Sequence, residues 1–159
     1  MVILQKKNWL IRHVEPTDQK VLTKWLRNPR VLEFYEGRDR PYTEEMVYDE
    51  FIGVQDAIER CIIIYHDQPL GYIQVDPLDE ETQKLYRISG EQLYGMDQFI
   101  GEPDYWNRGL GTELVSMMAN FLMEKRHAKK IYMDPQVRNP RALRCYEKAG
   151  FQKVHYLPK

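Results

Sequence analysis

The segment from Tyr94 to Glu113, YGMDQFIGEPDYWNRGLGTE, constrains the chain more than any other. Tyr94, Met96, Gln98 and Ile100 alternate with Asp97 and Phe99, which is the period of a strand. Gly101-Glu102-Pro103-Asp104-Tyr105-Trp106 reads as a loop, and Asn107-Arg108-Gly109-Leu110-Gly111-Thr112 leads into a long helical pattern. A strand, a glycine-bearing turn and a helix N-terminus together make an anion site. The first-turn amides have no intrahelical acceptor, and the helix dipole favours negative charge there. Gly109 and Gly111 carry no Cβ, so a phosphate can approach the backbone closely. The turn is not a P-loop, because no Gly-Lys-Ser/Thr follows. Nor is it a dinucleotide GxGxxG, because Gly109 to Leu114 lacks the third small residue. On the glycines alone an ordinary strand-to-helix turn fits better. Asp97 adds a second feature: an acid inside an otherwise apolar strand.

The 159 residues fit a single domain over 1–159, and 43% apolar residues exclude a disordered chain. Lys+Arg 23 against Asp+Glu 24 gives a net charge of -1, which lacks the basic excess usual in nucleic-acid binders. The charge is uneven. Asp76, Asp79, Glu80, Glu81, Glu91, Asp97, Glu102 and Asp104 make the middle acidic, which suits a cationic partner. Asp79-Glu80-Glu81 reads more simply as a solvated loop. Cys61 and Cys145 belong to no CxxC and read as buried thiols. The histidines, His13, His66, His127 and His155, lack metal-ligand spacing, so no metal is expected. The start, MVILQKKNWLIRHV, is too short and polar for a signal peptide, and no apolar stretch reaches membrane-spanning length. These features predict a soluble cytoplasmic protein that binds neither nucleic acid nor membrane; monomer and homodimer both stay open.

Taken in order, residues 1–14 predict one strand. Thr17 suits the N-cap of a helix carrying Val21, Leu22, Trp25 and Leu26 on one face, ended by Asn28-Pro29. Residues 29–42 read as a short helical piece and a loop. Thr43 caps a second helix, from Glu44 to about Glu59, with Met46, Val47 and Phe51 inward. Cys61–Tyr65 and Leu70–Val75, joined by His66-Asp67-Gln68-Pro69, predict a hairpin. Residues 76–92 read as a loop. After the Tyr94–Ile100 strand, a helix from Leu110 to about Lys125 buries Leu110, Leu114, Met117, Met118, Phe121 and Leu122. Lys129–Asp134 reads as a strand. Asn139-Pro140 opens a last helix that Gly150 stops, and Phe151–Tyr156 can form a further strand. The pattern is α/β around a mixed sheet.

Two motifs carry a resemblance. The Trp106–Gly111 turn is similar to the pyrophosphate motif Arg/Gln-x-x-Gly-x-Gly/Ala of the GNAT superfamily of acetyl-CoA-dependent N-acetyltransferases, with Trp106 in place of the leading Arg/Gln. Asn139 to Phe151, NPRALRCYEKAGF, resembles that family's closing Asn…Ala…Tyr-Glu-Lys-x-Gly-Phe segment. Gly95–Ile100, Gly109–Thr112, Asp134-Pro135, Arg144–Lys148, Trp25–Asn28, Phe34-Tyr35 and Gly71–Gln74 are similar to the aminoglycoside 6′-N-acetyltransferases within it. The chain ends at Tyr156-Leu157-Pro158-Lys159, before the further strand that members of that group usually carry.

The resemblance implies a mixed, mostly antiparallel sheet flanked by helices, with acetyl-CoA as cofactor and a small cationic amine as substrate, most specifically the 6′-amine of an aminoglycoside. A protein N-terminus, a polyamine or another small amine is the alternative acceptor, and a non-catalytic acyl-CoA-binding module the alternative class. It implies that Asp97 accepts the amine's proton, directly or through water, because an alkyl ammonium is mostly protonated near neutral pH and cannot attack. It implies that Tyr146 protonates the leaving sulfur; on its residue type alone Tyr146 reads as a core aromatic. Phe99, Ile100, Asn107, Arg108, Gly109, Leu110, Gly111, Thr112 and Asn139 would hold the coenzyme, although capping explains Asn139 equally well. Asp134 fits a second acid for the cationic substrate or ordinary turn chemistry before Pro135. Gln74, Tyr35 and Trp25 are weaker pocket candidates. Cys145 is the one rival nucleophile nearby and has no assignable base, so transfer should be direct, in a ternary complex.

Overall fold

The computed structural model describes residues 1–34, 41–85 and 89–133. Strands β1 (Val2–Lys6) and β2 (Trp9–His13) form an antiparallel hairpin. This corrects the reading of residues 1–14 as one strand. The chain reverses at Lys7, whose φ is 53°. A left-handed lysine is uncommon, so nothing in the local sequence marks the turn. A 3₁₀ turn, Pro16–Asp18, then leads into α1 (Gln19–Leu26). Glu15, not Thr17, is the N-cap residue of that turn. Asp18 accepts the Glu15 amide at 2.7 Å and both terminal nitrogens of Arg12 at 2.8 and 2.9 Å, which lets it be buried.

Helix α2 (Pro29–Phe34) follows, and α3 (Glu44–Val47) is capped by Thr43, whose hydroxyl accepts the Met46 amide at 3.1 Å. The expected helix to Glu59 stops early. It widens into a π turn, Tyr48–Ile52, and ends at Gly53. There a Cβ would come within 2.6 Å of the Tyr48 ring. Strands β3 (Glu59–Tyr65) and β4 (Gln68–Pro77) form the expected hairpin. Its turn is the pair His66-Asp67, with φ 49° and 64°. The 76–92 loop is corrected by α4 (Glu80–Leu85), where Asp79 accepts the Thr82 amide at 2.8 Å. Then come β5 (Leu93–Ile100), α5 (Leu110–Lys125) and β6 (Lys130–Tyr132). The last helix and strand read from residues 139–156 lie outside the described residues.

Among the described residues, six strands pair in chain order. All neighbours are antiparallel except β5 and β6, so the sheet is mixed and mostly antiparallel, as expected. It has a core on each face. On one, Ile11, Cys61, Ile63, Ile73, Val75 and Met96 pack against Leu110, Leu114, Met117, Met118 and Leu122 of α5. On the other, Ile62, Tyr72 and Phe99 pack against Leu22, Trp25 and Leu26 of α1 and against Val47 and Phe51. Each fully buried Leu, Ile or Phe stabilises by about 1.5–3 kcal/mol before entropy is counted. β5 serves both cores, Met96 on one side and Phe99 on the other, which is what its alternation requires. No helix of the described residues is long and apolar enough to cross a membrane.

Candidate active site

Strand β5 carries the candidate acid into the candidate phosphate turn. Asp97 lies opposite Gln74 of β4, and Phe99 lies opposite Tyr72. Phe99 is buried, stacks on Tyr72 with ring centroids 5.6 Å apart, and meets Trp25 edge-on at 6.0 Å. The Tyr72 hydroxyl donates to the Gln74 side-chain oxygen at 2.7 Å. These packed rings fix the strand on which Asp97 stands. Among the described residues the parallel pairing of β5 with β6 covers Leu93 to Gly95 and stops two residues before Asp97.

Beyond Ile100 the loop is braced at three points. Gly101 lies so close to Trp25 that a Cβ would sit 2.3 Å from the indole. Trp25 donates its indole N–H to Glu102 at 2.6 Å, and Lys24 reaches the same carboxylate at 3.1 Å. Trp106 donates its indole N–H to the Ile100 carbonyl at 2.9 Å, closing the loop on itself. Trp25, a weak pocket candidate by sequence, is fully buried and is a packing residue.

The turn is built from two left-handed residues, Asn107 at φ 62° and Gly109 at φ 78°. Asparagine tolerates that region and glycine prefers it. Gly109 is the N-cap position of α5, and no side chain caps the helix. The first backbone bond runs from the Glu113 amide to the Gly109 carbonyl at 3.1 Å. The amides of Leu110, Gly111 and Thr112 therefore precede any intrahelical acceptor. A Cβ built on Gly109 would meet nothing within 4 Å, so the space before the turn is open. An uncapped sixteen-residue helix with open space at its N-terminus fits an anionic diphosphate. Asn107, Arg108 and Gly109 are exposed, whereas Leu110 is buried and anchors the turn to the α5 core.

On the Asp97 side the electrostatics are acidic. Asp76 pairs across the strands with Gly95, and a Cβ on Gly95 would come within 3.0 Å of its carboxylate. Burial raises the Asp76 pKa above the usual carboxylate range, and Asp79 and Asp56 push it the same way. Burial also holds the Tyr72 phenol protonated well above its ordinary range. The structure thus sets Asp97, Phe99, Ile100 and the 107–112 turn along β5 and its sequel, with Gln74 opposite Asp97 on β4. Tyr35, Asp134, Asn139 and Tyr146 lie outside the described residues. Sequence reasoning gave Tyr72 no role of its own and counted Asp76 and Glu102 only among the acids of the middle of the chain. For Tyr72 the signal was present, since it alternates onto the Gln74 side of the same strand.

A model of the Acetyltransferase (GNAT) domain matches residues 15–158. The aminoglycoside N(6′)-acetyltransferase type 1 of Klebsiella pneumoniae is 29% identical to this chain, over 90% of it and 73% of that protein. Two crystal structures of the aminoglycoside acetyltransferase AAC(6′)-Ib, one with coenzyme A and one with coenzyme A and kanamycin, are each 26% identical. They superpose with TM-scores of 0.79 and 0.78, and each match covers 92% of this chain and 85% of that one.

Proposed function

The chain belongs to the GNAT acetyltransferases, and from that premise we propose that it transfers the acetyl group of acetyl-CoA to the 6′-amine of an aminoglycoside, in the cytoplasm and without an acyl-enzyme. One observation carries this reading. The strand that holds Asp97 leads, through the braced loop 101–109, to an uncapped, open helix N-terminus, an arrangement that would tie an anion-binding turn to a cation-binding acid. The aminoglycoside preference is drawn from the relatives, which carry that activity in their names.

Acetyl-CoA supplies the activated acyl group. The amides of Leu110, Gly111 and Thr112 grip the pyrophosphate, and Asn107, Arg108 and Gly109 shape the turn around it. Phe99 and Ile100, at the end of β5, would form the strand edge beside which the coenzyme arm is held. Asp97 binds the acceptor ammonium, takes its proton directly or through water, and leaves a neutral amine able to attack. Gln74, held by Tyr72, gives the acceptor a fixed polar neighbour. From the family resemblance alone, Tyr146 would return a proton to the sulfur, Asn139 would serve the coenzyme arm, and Asp134 and Tyr35 would serve the acceptor. Holding both reactants in one geometry supplies much of the rate.

A thiol-release assay with acetyl-CoA and a panel of amines tests this. Aminoglycosides bearing a 6′-amine should be turned over, and those with a hydroxyl there should not. Turnover confined to peptide N-termini or polyamines replaces the acceptor. Coenzyme binding with no turnover of any amine removes the catalytic reading.

A further inference from the structure

Resting on the acceptor site proposed above, we infer that Arg60 is a specificity-determining residue: a fixed cation in the row of Asp97 that limits how many positive charges an acceptor can bring. Arg60 pairs with Gln74, and Gln74 pairs with Asp97, so three antiparallel strands set these residues in one transverse row. Side chains of such a row share one face of the sheet. Two strand spacings separate Arg60 from Asp97, roughly 10 Å at the backbone.

The Arg60 side chain is 14% exposed, and its two terminal nitrogens meet Asp56 at 2.7 and 3.0 Å. A bidentate fork on a mostly covered side chain fixes the charge in place; a surface lysine would swing in water. The field of Arg60 reaches the Tyr72 hydroxyl and the Asp76 carboxyl, where it opposes the upward pull of burial. Its charge is therefore felt on β4 at both neighbours of Gln74 on that face.

The consequence is selective. Asp56, Asp76 and Asp97 attract an ammonium, and Arg60 repels it. The reacting ammonium sits nearest Asp97, where attraction dominates. A further ammonium placed toward β3 meets a positive charge that cannot move away. Arg60 thus sorts cationic acceptors by the number and placement of their charges.

The test uses kanamycin A and kanamycin B, which share the 6′-amine and differ by one ammonium on the same ring. The readout is the kanamycin B to kanamycin A ratio of kcat/KM. Arg60→Gln should raise that ratio about fivefold, the effect of one unit charge at such a distance in a partly wet cleft. Asp56→Asn, which keeps the guanidinium and removes its counter-charge, should lower the ratio. Arg60→Lys, which keeps the charge and loses the fork, should raise the ratio by less than Arg60→Gln does. A ratio that stays put in both Arg60→Gln and Asp56→Asn overturns the inference while leaving the acceptor assignment intact. A wild-type protein that acetylates neither kanamycin overturns the acceptor reading and this one with it.

Discussion

The indole N–H of Trp25 lies 2.6 Å from a Glu102 carboxylate oxygen, so α1 and the loop that enters the 107–112 turn form one mechanical unit. Trp25→Phe keeps a ring and removes the donor, and Glu102, 28% exposed, then keeps the Lys24 contact. The expected cost is about 1 kcal/mol of stability. Gly101→Ala should cost more, about 2 kcal/mol, because the indole 2.3 Å away is fully buried and cannot yield easily. Thermal denaturation with and without coenzyme A checks both. Each variant should also bind coenzyme A a few-fold more weakly. Affinity unchanged in both would separate the brace from the turn.

Gly109 adopts φ 78° in open space, so a side chain there strains the backbone without striking a neighbour. Gly109→Ala should lose about 1 kcal/mol. It should also weaken coenzyme A binding, because its methyl group would occupy the approach of the pyrophosphate. Dephosphorylated pantetheine, which has no pyrophosphate, should lose little affinity in the same variant. Equal losses for the two ligands would contradict phosphate binding at the turn.

Glu59 joins β3 to the end of α5. Arg126 reaches it through two nitrogens and His13 through one, and the Arg126 bonds, then His13, hold the Glu59 pKa below the usual carboxylate range. The unfolded chain therefore binds the extra proton as pH falls. The stability from this group is complete above the unfolded glutamate value, about 4.3, and is lost as pH drops through the lowered native value. Arg126→Gln should cost about 1 kcal/mol near neutrality and nothing in strong acid, as measured by urea denaturation across pH. Asp76 has the opposite sign, since burial raises it. Its contribution is present below the unfolded aspartate value and fades as pH rises through the native one. A cost for Arg126→Gln that does not vary with pH would mean packing, not charge.

Cys61 is 1% exposed, and burial pushes its thiol up to about 12. In a Cys145→Ser background it should resist thiol reagents at about pH 8 and react only on unfolding. Labelling rates measured against denaturant should follow the unfolding curve. Rapid labelling of folded protein would show that the β3 core opens locally.

Much of this was legible because it is local. β5 and α5 are long and periodic, and the turn between them announces itself through Gly109 and Gly111. The β3–β4 hairpin was legible from its flanking strands. Its turn residues, His66 and Asp67, both take positive φ without a glycine. The β1–β2 hairpin was hidden for the same reason at Lys7, with no long strands to betray it. The second helix was overread because no propensity rule foresees a π turn at Tyr48–Ile52. In the site, Asp97 stood out by type. The row Arg60, Gln74, Asp97 did not, because it exists only through register across three strands. The Trp25–Glu102 contact joins residues 77 apart in sequence, which no local pattern encodes.

In the proposed mechanism Asp97 deprotonates the amine while the turn holds the coenzyme independently. Single-turnover kinetics of Asp97→Asn, paired with calorimetric titration of coenzyme A, separate those roles most directly. Turnover should fall about 100-fold or more at saturating amine, with coenzyme affinity nearly unchanged. Turnover equal to that of the wild-type protein, or a loss explained wholly by weaker coenzyme binding, would contradict it.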